Sequence, residues 1–283
     1  MTLSRGSETS IITRTAVGQP IGQFYGYKVI GRFEQATDFY YRDATGAIKE
    51  TPRPEGQPIS RNGVWIGDYI YEDINKDGVI NDADRTYIGN PEPKFTFGIG
   101  NTVSYKNWDL SLSLSGSYGN DVFNWIRRWT DDPRQSHNLN IRATEFARLT
   151  YIDGSLPEGN EHGQIDNVRN IMITPGSNPF MPRLSSADAN SNYRVSDRFI
   201  EDGSYIRIQN VSIGYVFPKA WLKKIDVENI RLYANLQNIL TLSKYKGYDP
   251  EIGSMQQNAL LTGIDNGRYP SPQVYTIGLN ITF

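Results

Sequence analysis

The chain has 283 residues, no cysteine and a formal net charge of −2. That excludes a disulfide framework, a thiol nucleophile and a cysteine zinc site, and it leaves no basic footprint for nucleic acid. Mean hydropathy is −0.52 and no run of ~18 apolar residues occurs, which excludes a membrane helix but not a β-barrel, where only alternate residues face lipid.

The first residues, MTLSRGSETS, lack the apolar stretch of a signal peptide. If the protein is exported, this chain is expected to be the carboxy-terminal piece of a longer one. Residues 1–20 are polar. Phe24, Tyr25, Tyr27, Val29, Ile30 and Phe33 then form a short aromatic, β-prone run. Residues 34–63 read as loop, with Pro52, Pro54 and Pro58 close together.

Residues 73–84, DINKDGVINDAD, carry the sharpest chemistry. With Asp73 at position 1 of a twelve-residue loop, Asn75 and Asp77 fall at positions 3 and 5, and Gly78 at 6. Val79 offers its carbonyl at 7, Asn81 stands at 9, and Asp84 closes at 12. This is calcium-loop spacing: oxygens from alternate residues converge on a hard cation when a glycine permits the sharp turn. Asp84 replaces the longer Glu usual at position 12. The flanks, GDYIYE and RTYIGNPEP, are not helical, so a helix-less loop holding a structural Ca²⁺ through Asp73, Asn75, Asp77, Val79 and Asp84 is expected. An acidic turn without a cation is the plainer alternative.

After Pro93 a different pattern begins. Phe95, Phe97, Ile99, Val103 and Tyr105 alternate with Thr96, Gly98, Gly100, Thr102 and Ser104. A tight turn is expected at Lys106-Asn107. Trp108, Leu110, Leu112, Leu114 and Tyr118 then alternate with Asp109, Ser111, Ser113, Ser115 and Ser117. Period two over ~10 residues is the length a tilted transmembrane strand needs, and a soluble core would not leave one face so uniformly small and polar.

Residues 119–203 form a long excursion. Val122, Phe123, Ile126 and Trp129 are spaced for a short helix, and Ile141 to Leu149 for another. Trp125, Trp129 and Tyr151 are candidate sugar-stacking residues whose plainer reading is packing within the loop. Asp131-Asp132 and Glu201-Asp202 are adjacent acids of the kind that usually face water. His137 and His162 lie in polar loops without metal-protease spacing, and no nucleophile elbow or phosphate loop occurs, so no enzyme is expected.

The stretch 204–217 places Val211, Ile213, Tyr215 and Phe217 on one face, with Ile206 and Ile208 in the opposite parity, which predicts a bulge near Gln209. A short connection, 218–226, leads to Ile230, Leu232, Ala234 and Leu236 alternating with Arg231, Tyr233, Asn235 and Gln237. A second long loop spans 241–272. The last residues, QVYTIGLNITF, alternate without a break through Tyr275, Ile277, Leu279, Ile281 and Phe283.

These stretches give an all-β fold: the antiparallel strands of a transmembrane β-barrel portion, with long extracellular loops and short periplasmic turns alternating. Residues 1–93 read as an extracellular loop region that includes the calcium-type loop, and residues 94–283 as membrane strands and long loops.

The segments VGQPIGQFYGYKVIGRFE (17–34), GDYIYEDINKDGVINDADRTYIGNPEPKFTFGIGNTVSYKNWDLSLSLSGSYGNDVFN (67–124), SYIRIQNVSIGYVFP (204–218), RLYANLQNIL (231–240) and the terminal aromatic strand resemble the carboxy-terminal part of a SusC/RagA-type TonB-dependent transporter of the Bacteroidetes outer membrane. The resemblance implies a barrel of about 22 strands plugged by an amino-terminal domain. It further implies import of glycans or peptides powered through TonB, a SusD-like lipoprotein over the extracellular mouth, and contact with outer-membrane lipid. The rival reading is a secreted, calcium-stapled β-domain that binds glycans or mediates adhesion.

Overall fold

The computed structural model describes residues 2–4, 11–135, 138–152, 168–223, 226–255 and 258–283. His137 and His162 lie outside the described residues. The chain forms two compact units, one from Met1–Gly89 and Asn124–Ile200, the other from Asn90–Phe123 and Glu201–Phe283. Most of the long excursion therefore belongs with the amino-terminal segment.

The second unit is built on a sheet of five described strands: β1 (Phe95–Tyr105), β2 (Trp108–Tyr118), β3 (Tyr205–Val216), β4 (Asn229–Ser243) and β5 (Val274–Thr282). They are antiparallel and stand in chain order, with β1 and β5 at the edges. Lys106 and Asn107 alone join β1 to β2, Lys106 taking φ +55°. Asn107 donates its amide Nδ2 to the Val216 carbonyl at 2.6 Å, and Val216 N–H donates to the Asn107 carbonyl at 2.8 Å, which fastens this turn to β3.

Strict period two in each strand stacks like with like across the sheet. One row reads Val103, Leu110, Ile213, Ala234, Ile277; the next reads Tyr105, Trp108, Tyr215, Leu232, Leu279. On the other face the rows read Thr102, Ser111, Ser212, Asn235, Thr276 and Ser104, Asp109, Gly214, Tyr233, Gly278. The bulge is at Gln209: Ser113 pairs with Asn210, whereas Leu114 pairs with Ile208. On β4, Asn238 and Ile239 form a matching irregularity opposite it, Asn238 at φ +52°. The extra residue reverses parity, so Ile206 and Ile208 join Val211 and Ile213 on the apolar face.

The first unit is made of short elements. A four-stranded sheet joins Thr2–Ser4, Ile11–Arg14, Gln23–Gly26 and Thr86–Gly89. Phe33 stacks on Phe39 with ring centroids 4.2 Å apart, in a core with Trp65, Ile66, Ile171 and Ile173. The expected helix near residue 122 begins later, at Trp125–Thr130, because Val122 and Phe123 are taken by the strand Asp121–Asn124. Residues 141–149 give only a 3-10 turn, Ile141–Glu145, followed by the strand Leu149–Tyr151.

Chain segments far apart in sequence meet around Asp68. Its carboxylate accepts from Trp65 N–H at 2.8 Å, from Arg183 Nε at 2.8 Å and Nη2 at 3.1 Å, and from Asn192 Nδ2 at 3.0 Å, all in the interior. Gly26 permits a second meeting, since a Cβ there would stand 2.4 Å from the Val195 carbonyl oxygen. That carbonyl accepts from Tyr27 N–H at 2.9 Å, and Asp197 N–H returns a bond to the Tyr27 carbonyl at 3.0 Å.

Removing Asp68 leaves the Arg183 guanidinium buried without its counter-charge. Asp68→Ala is expected to destabilise the first unit by about 3–5 kcal/mol, read as a lowered urea midpoint in the fluorescence of buried Trp65 and Trp125.

Candidate functional site

Two regions concentrate polar chemistry. The first is loop 73–84. Gly78 adopts φ +86°, the left-handed turn expected at position 6. The loop's own amides organise its acids: Gly78 N–H donates to Asp73 Oδ2 at 2.8 Å, Asp77 N–H to Asn75 Oδ1 at 3.1 Å and Val79 N–H to Asp77 Oδ1 at 2.9 Å. Asp84 is fully buried and closes the loop on itself, accepting from Ile74 N–H at 2.9 Å and Asn81 N–H at 2.8 Å. The Asn75 side chain and the Val79 amide hold the Asp77 carboxyl below its ordinary pKa. Asp73 Oδ1 is buried and accepts no hydrogen bond. Among the described residues, no three His, Cys, Asp or Glu side chains are gathered closely enough to hold a metal, so any cation here depends also on Asn75 and the Val79 carbonyl.

The loop is tied into the first unit through Asp82, which accepts from the Tyr27 hydroxyl at 3.0 Å. Burial pushes that hydroxyl up to about 12, so it remains a donor. Tyr27 lies under Arg194, whose guanidinium carbon is 4.5 Å from its ring centre and 4.6 Å from that of Tyr71. A cleft of about 450 Å³ borders this group, lined by Tyr27, Asn81, Asp82, Arg85 and Arg194 among others.

The second region is the polar face of the five-stranded sheet. Arg231 on β4 reaches Asp109 on β2 at 2.6 Å, passing over β3 where Gly214 stands. A Cβ at Gly214 would be 2.5 Å from both partners, so glycine is what leaves the bridge its path. Nearer the long connections, Arg207 is buried among Thr241, Asp249 and Glu251. Burial opposes the charge on Asp249, but the amides of Glu251 and Ser271 and the Arg207 guanidinium outweigh it and lower its pKa.

Several sequence expectations need correction. Asp131 and Asp132 do not face water: they are 1% and 4% exposed. Asp131 pairs with Arg198 at 3.1 Å and Arg127 at 3.6 Å, and Asp132 with Arg134 at 2.9 Å. Arg134 also stands 3.4 Å from Asp188, whose second oxygen accepts both amide hydrogens of Asn192, from N and Nδ2, at 2.8 Å each. Single-sequence reading missed this network because the contacts that join its local pairs, Asp131 with Arg198 and Arg134 with Asp188, span more than fifty residues. Of the stacking candidates, Trp125 is buried under Arg128, Tyr151 sits half-buried in its strand, and only Trp129 is exposed. The acids at Glu201 and Asp202 serve backbone amides of Lys246 and Ser204.

No protein-family model matches the chain. It is similar to TonB-dependent receptor P3 of Formosa agariphila, 30% identical over 270 residues, which covers 94% of this chain and 22% of that protein. TonB-dependent receptor P26 of the same organism is 30% identical over 275 residues, covering 96% and 23%. TonB-dependent receptor SusC of Bacteroides thetaiotaomicron is 27% identical over 229 residues, covering 80% and 19%. The chain thus spans less than a quarter of the length of these relatives. Among solved structures, its fold matches that of the RagAB peptide transporter, with TM-score 0.56 and 16% identity over 92% of this chain and 22% of that one. The RagAB importer in its open-open state gives TM-score 0.54 at 15% identity, covering 97% and 25%. These proteins are named as receptors and importers, none as an enzyme.

Burial raises the Asp188 carboxyl to about 6, so the folded unit holds its proton at pH values where an unfolded Asp, near 3.8, has lost it. The stability this group contributes is present below about 4 and is lost as pH rises through about 6. The urea midpoint of the wild type minus that of Asp188→Asn is therefore expected to fall between about pH 4 and about pH 7.

Proposed function

We propose that this chain, a stretch of a SusC/RagA-type TonB-dependent receptor, forms the carboxy-terminal strands of that receptor's outer-membrane barrel. The apolar face of the sheet lies against lipid and the polar face against the lumen. The observation that carries this reading is the row-by-row apolar face, exposed across all five described strands and continued through the bulge. Ile99, Val103, Ile213, Leu232, Ile277 and Leu279 all stand open. A soluble domain that left such a face uncovered would aggregate. In a bilayer it is the required surface, and strands of 9 to 15 residues reach the ~9–11 that a tilted span needs. Tyr105, Trp108, Tyr215 and Trp221 cluster at the short-turn end, where amphipathic rings suit the lipid–water boundary.

In this reading the receptor imports glycans or peptides. The remainder of the full protein supplies the plug and the contact with TonB, and a SusD-like surface lipoprotein covers the extracellular mouth. The long connections face the outside of the cell, and residues 1–93 are an extracellular region. The secreted-module alternative has no use for the exposed apolar face.

Loop 73–84 acts as a structural calcium staple, with Asp73, Asn75, Asp77, Asp84 and the Val79 carbonyl as donors. The buried, unpartnered Asp73 Oδ1 and the turn at Gly78 support this assignment. When bound, Ca²⁺ would offset the charge of the loop's carboxylates, with Asn75 and the Val79 carbonyl completing its shell, and lock the loop against Tyr27 through Asp82. It takes no part in moving cargo.

Fractionation of native cells with an antibody to the 119–203 excursion is expected to place the signal in the outer membrane, in a band far above 32.0 kDa. A soluble band at 32.0 kDa would overturn the barrel reading. Calorimetry of Asp73→Ala/Asp77→Ala is expected to show no calcium uptake at this loop, with cargo choice unaltered. Undiminished uptake would remove these residues from the ligand set.

A further inference from the structure

Arg194 differs from the buried arginines of the first unit. Arg32, Arg183 and Arg198 each reach a carboxylate, at 2.8, 2.8 and 3.1 Å. Arg194 is half-buried and pairs with no carboxylate among the described residues. Its Nη2 donates to the Asn190 carbonyl at 2.9 Å and its Nε to the Ser191 carbonyl at 3.2 Å. The guanidinium carbon packs 4.5 and 4.6 Å from the ring centres of Tyr27 and Tyr71. Rings and carbonyls hold such a cation in place without cancelling its charge.

The backbone that supplies these carbonyls is itself fixed. Ser191 N–H donates to the Asp188 carbonyl at 2.8 Å, and the Ser191 carbonyl accepts from the Tyr71 hydroxyl at 3.1 Å. Asn190 Nδ2 donates to the Tyr69 carbonyl at 2.9 Å in the interior. An anion that meets Arg194 therefore finds a donor already in position and does not have to order it.

Arg194 stands on the wall of the 450 Å³ cleft, and Arg85 and Asp82 line it too. Arg85 brings its guanidinium carbon to 5.9 Å from the same Tyr27 ring. Asp82 accepts from the Tyr27 hydroxyl, lies 4.0 Å from Arg85, and has a side chain 90% exposed. The wall thus carries two cations to one anion. An excess of one positive charge matches a singly charged carboxylate better than a phosphate dianion, and a guanidinium edge meets a carboxylate with charge-assisted hydrogen bonds.

We propose that this cleft binds the carboxylate of a small ligand, with Arg194 as the principal donor, Arg85 adding to the positive field and Asp82 opposing it. The cleft belongs wholly to the first unit, so the proposal does not depend on where the five-stranded sheet lies.

The test is calorimetry on the full receptor purified in detergent, at low ionic strength. The carboxylate probes are N-acetyldialanine and galacturonate, with N-acetyldialanine amide, galactose and inorganic phosphate beside them. At least one carboxylate is expected to bind, its neutral counterpart not to, and added salt to weaken it. Which of the two binds tells a peptide end from a sugar acid as the source of the group. Arg194→Gln is expected to weaken the bound carboxylate at least about tenfold. Asp82→Asn, at an exposed side chain that can still accept from Tyr27, is expected to tighten it about two- to fivefold. A general loosening of the unit would not move affinity in both directions. No binding by either carboxylate, equal binding of its neutral counterpart, binding of phosphate in place of both, wild-type affinity in Arg194→Gln, or weaker binding in Asp82→Asn would overturn the proposal.

Discussion

The second unit depends on one constraint: five antiparallel strands must hold a register in which every second side chain is apolar. A slip of one residue on any strand would move its whole apolar set to the polar face. The register is held by turn and bulge geometry. The two-residue turn at Lys106-Asn107 sets β1 against β2 and, through Asn107, β2 against β3. The bulge at Gln209 repairs a change of parity that would otherwise put Arg207 on the apolar face and Ile208 on the polar one. Cross-strand ion pairing does the same on the polar face, where Arg231 and Asp109 clamp three strands over Gly214.

The first unit is held differently. Its strands are short, and buried polar bonds join segments more than a hundred residues apart. Asp68 gathers Trp65, Arg183 and Asn192, while Tyr69 N–H donates to Asn192 Oδ1 at 2.9 Å and Tyr71 to the Ser191 carbonyl at 3.1 Å. Around them Arg194 and Arg198 lie over tyrosine and phenylalanine faces, Arg194 also donating to carbonyls and Arg198 pairing with Asp131. Such a network is costly to leave half made, which favours a single arrangement over many near-equivalent ones. It suits a unit of short elements that must keep its shape without a large apolar core.

What was legible in the sequence was local. Period two marked all five strands to within a few residues, because alternation is written in the side chains of each strand and needs no partner to be seen. The parity change at Ile206–Ile208 located the bulge for the same reason. The glycine at position 6 of the acidic loop foretold its left-handed turn. What escaped was long-range. Nothing near Asp131 announces that Arg198 will come to it, nothing near Arg134 announces Asp188, and nothing near Arg207 announces Asp249 and Ser271. The joining of the 124–200 segment to the amino-terminal residues also depends on contacts, such as Gly26 against Val195, that only the fold creates. The helix expected from Val122 began at Trp125 because strand pairing took the preceding residues.

The central claim is that the two faces of this sheet meet different solvents. The described stretch has no cysteine, so with any cysteine elsewhere in the full receptor replaced by serine, single spin labels along β5 can be read one at a time in the receptor purified and reconstituted in lipid vesicles. Labels at Ile277→Cys and Leu279→Cys are expected to collide freely with dissolved oxygen and rarely with a water-soluble nickel complex. Labels at Thr276→Cys and Asn280→Cys are expected to show less access to oxygen. That alternation would place the apolar face in lipid. Equal access to the nickel complex at all four positions would contradict the account.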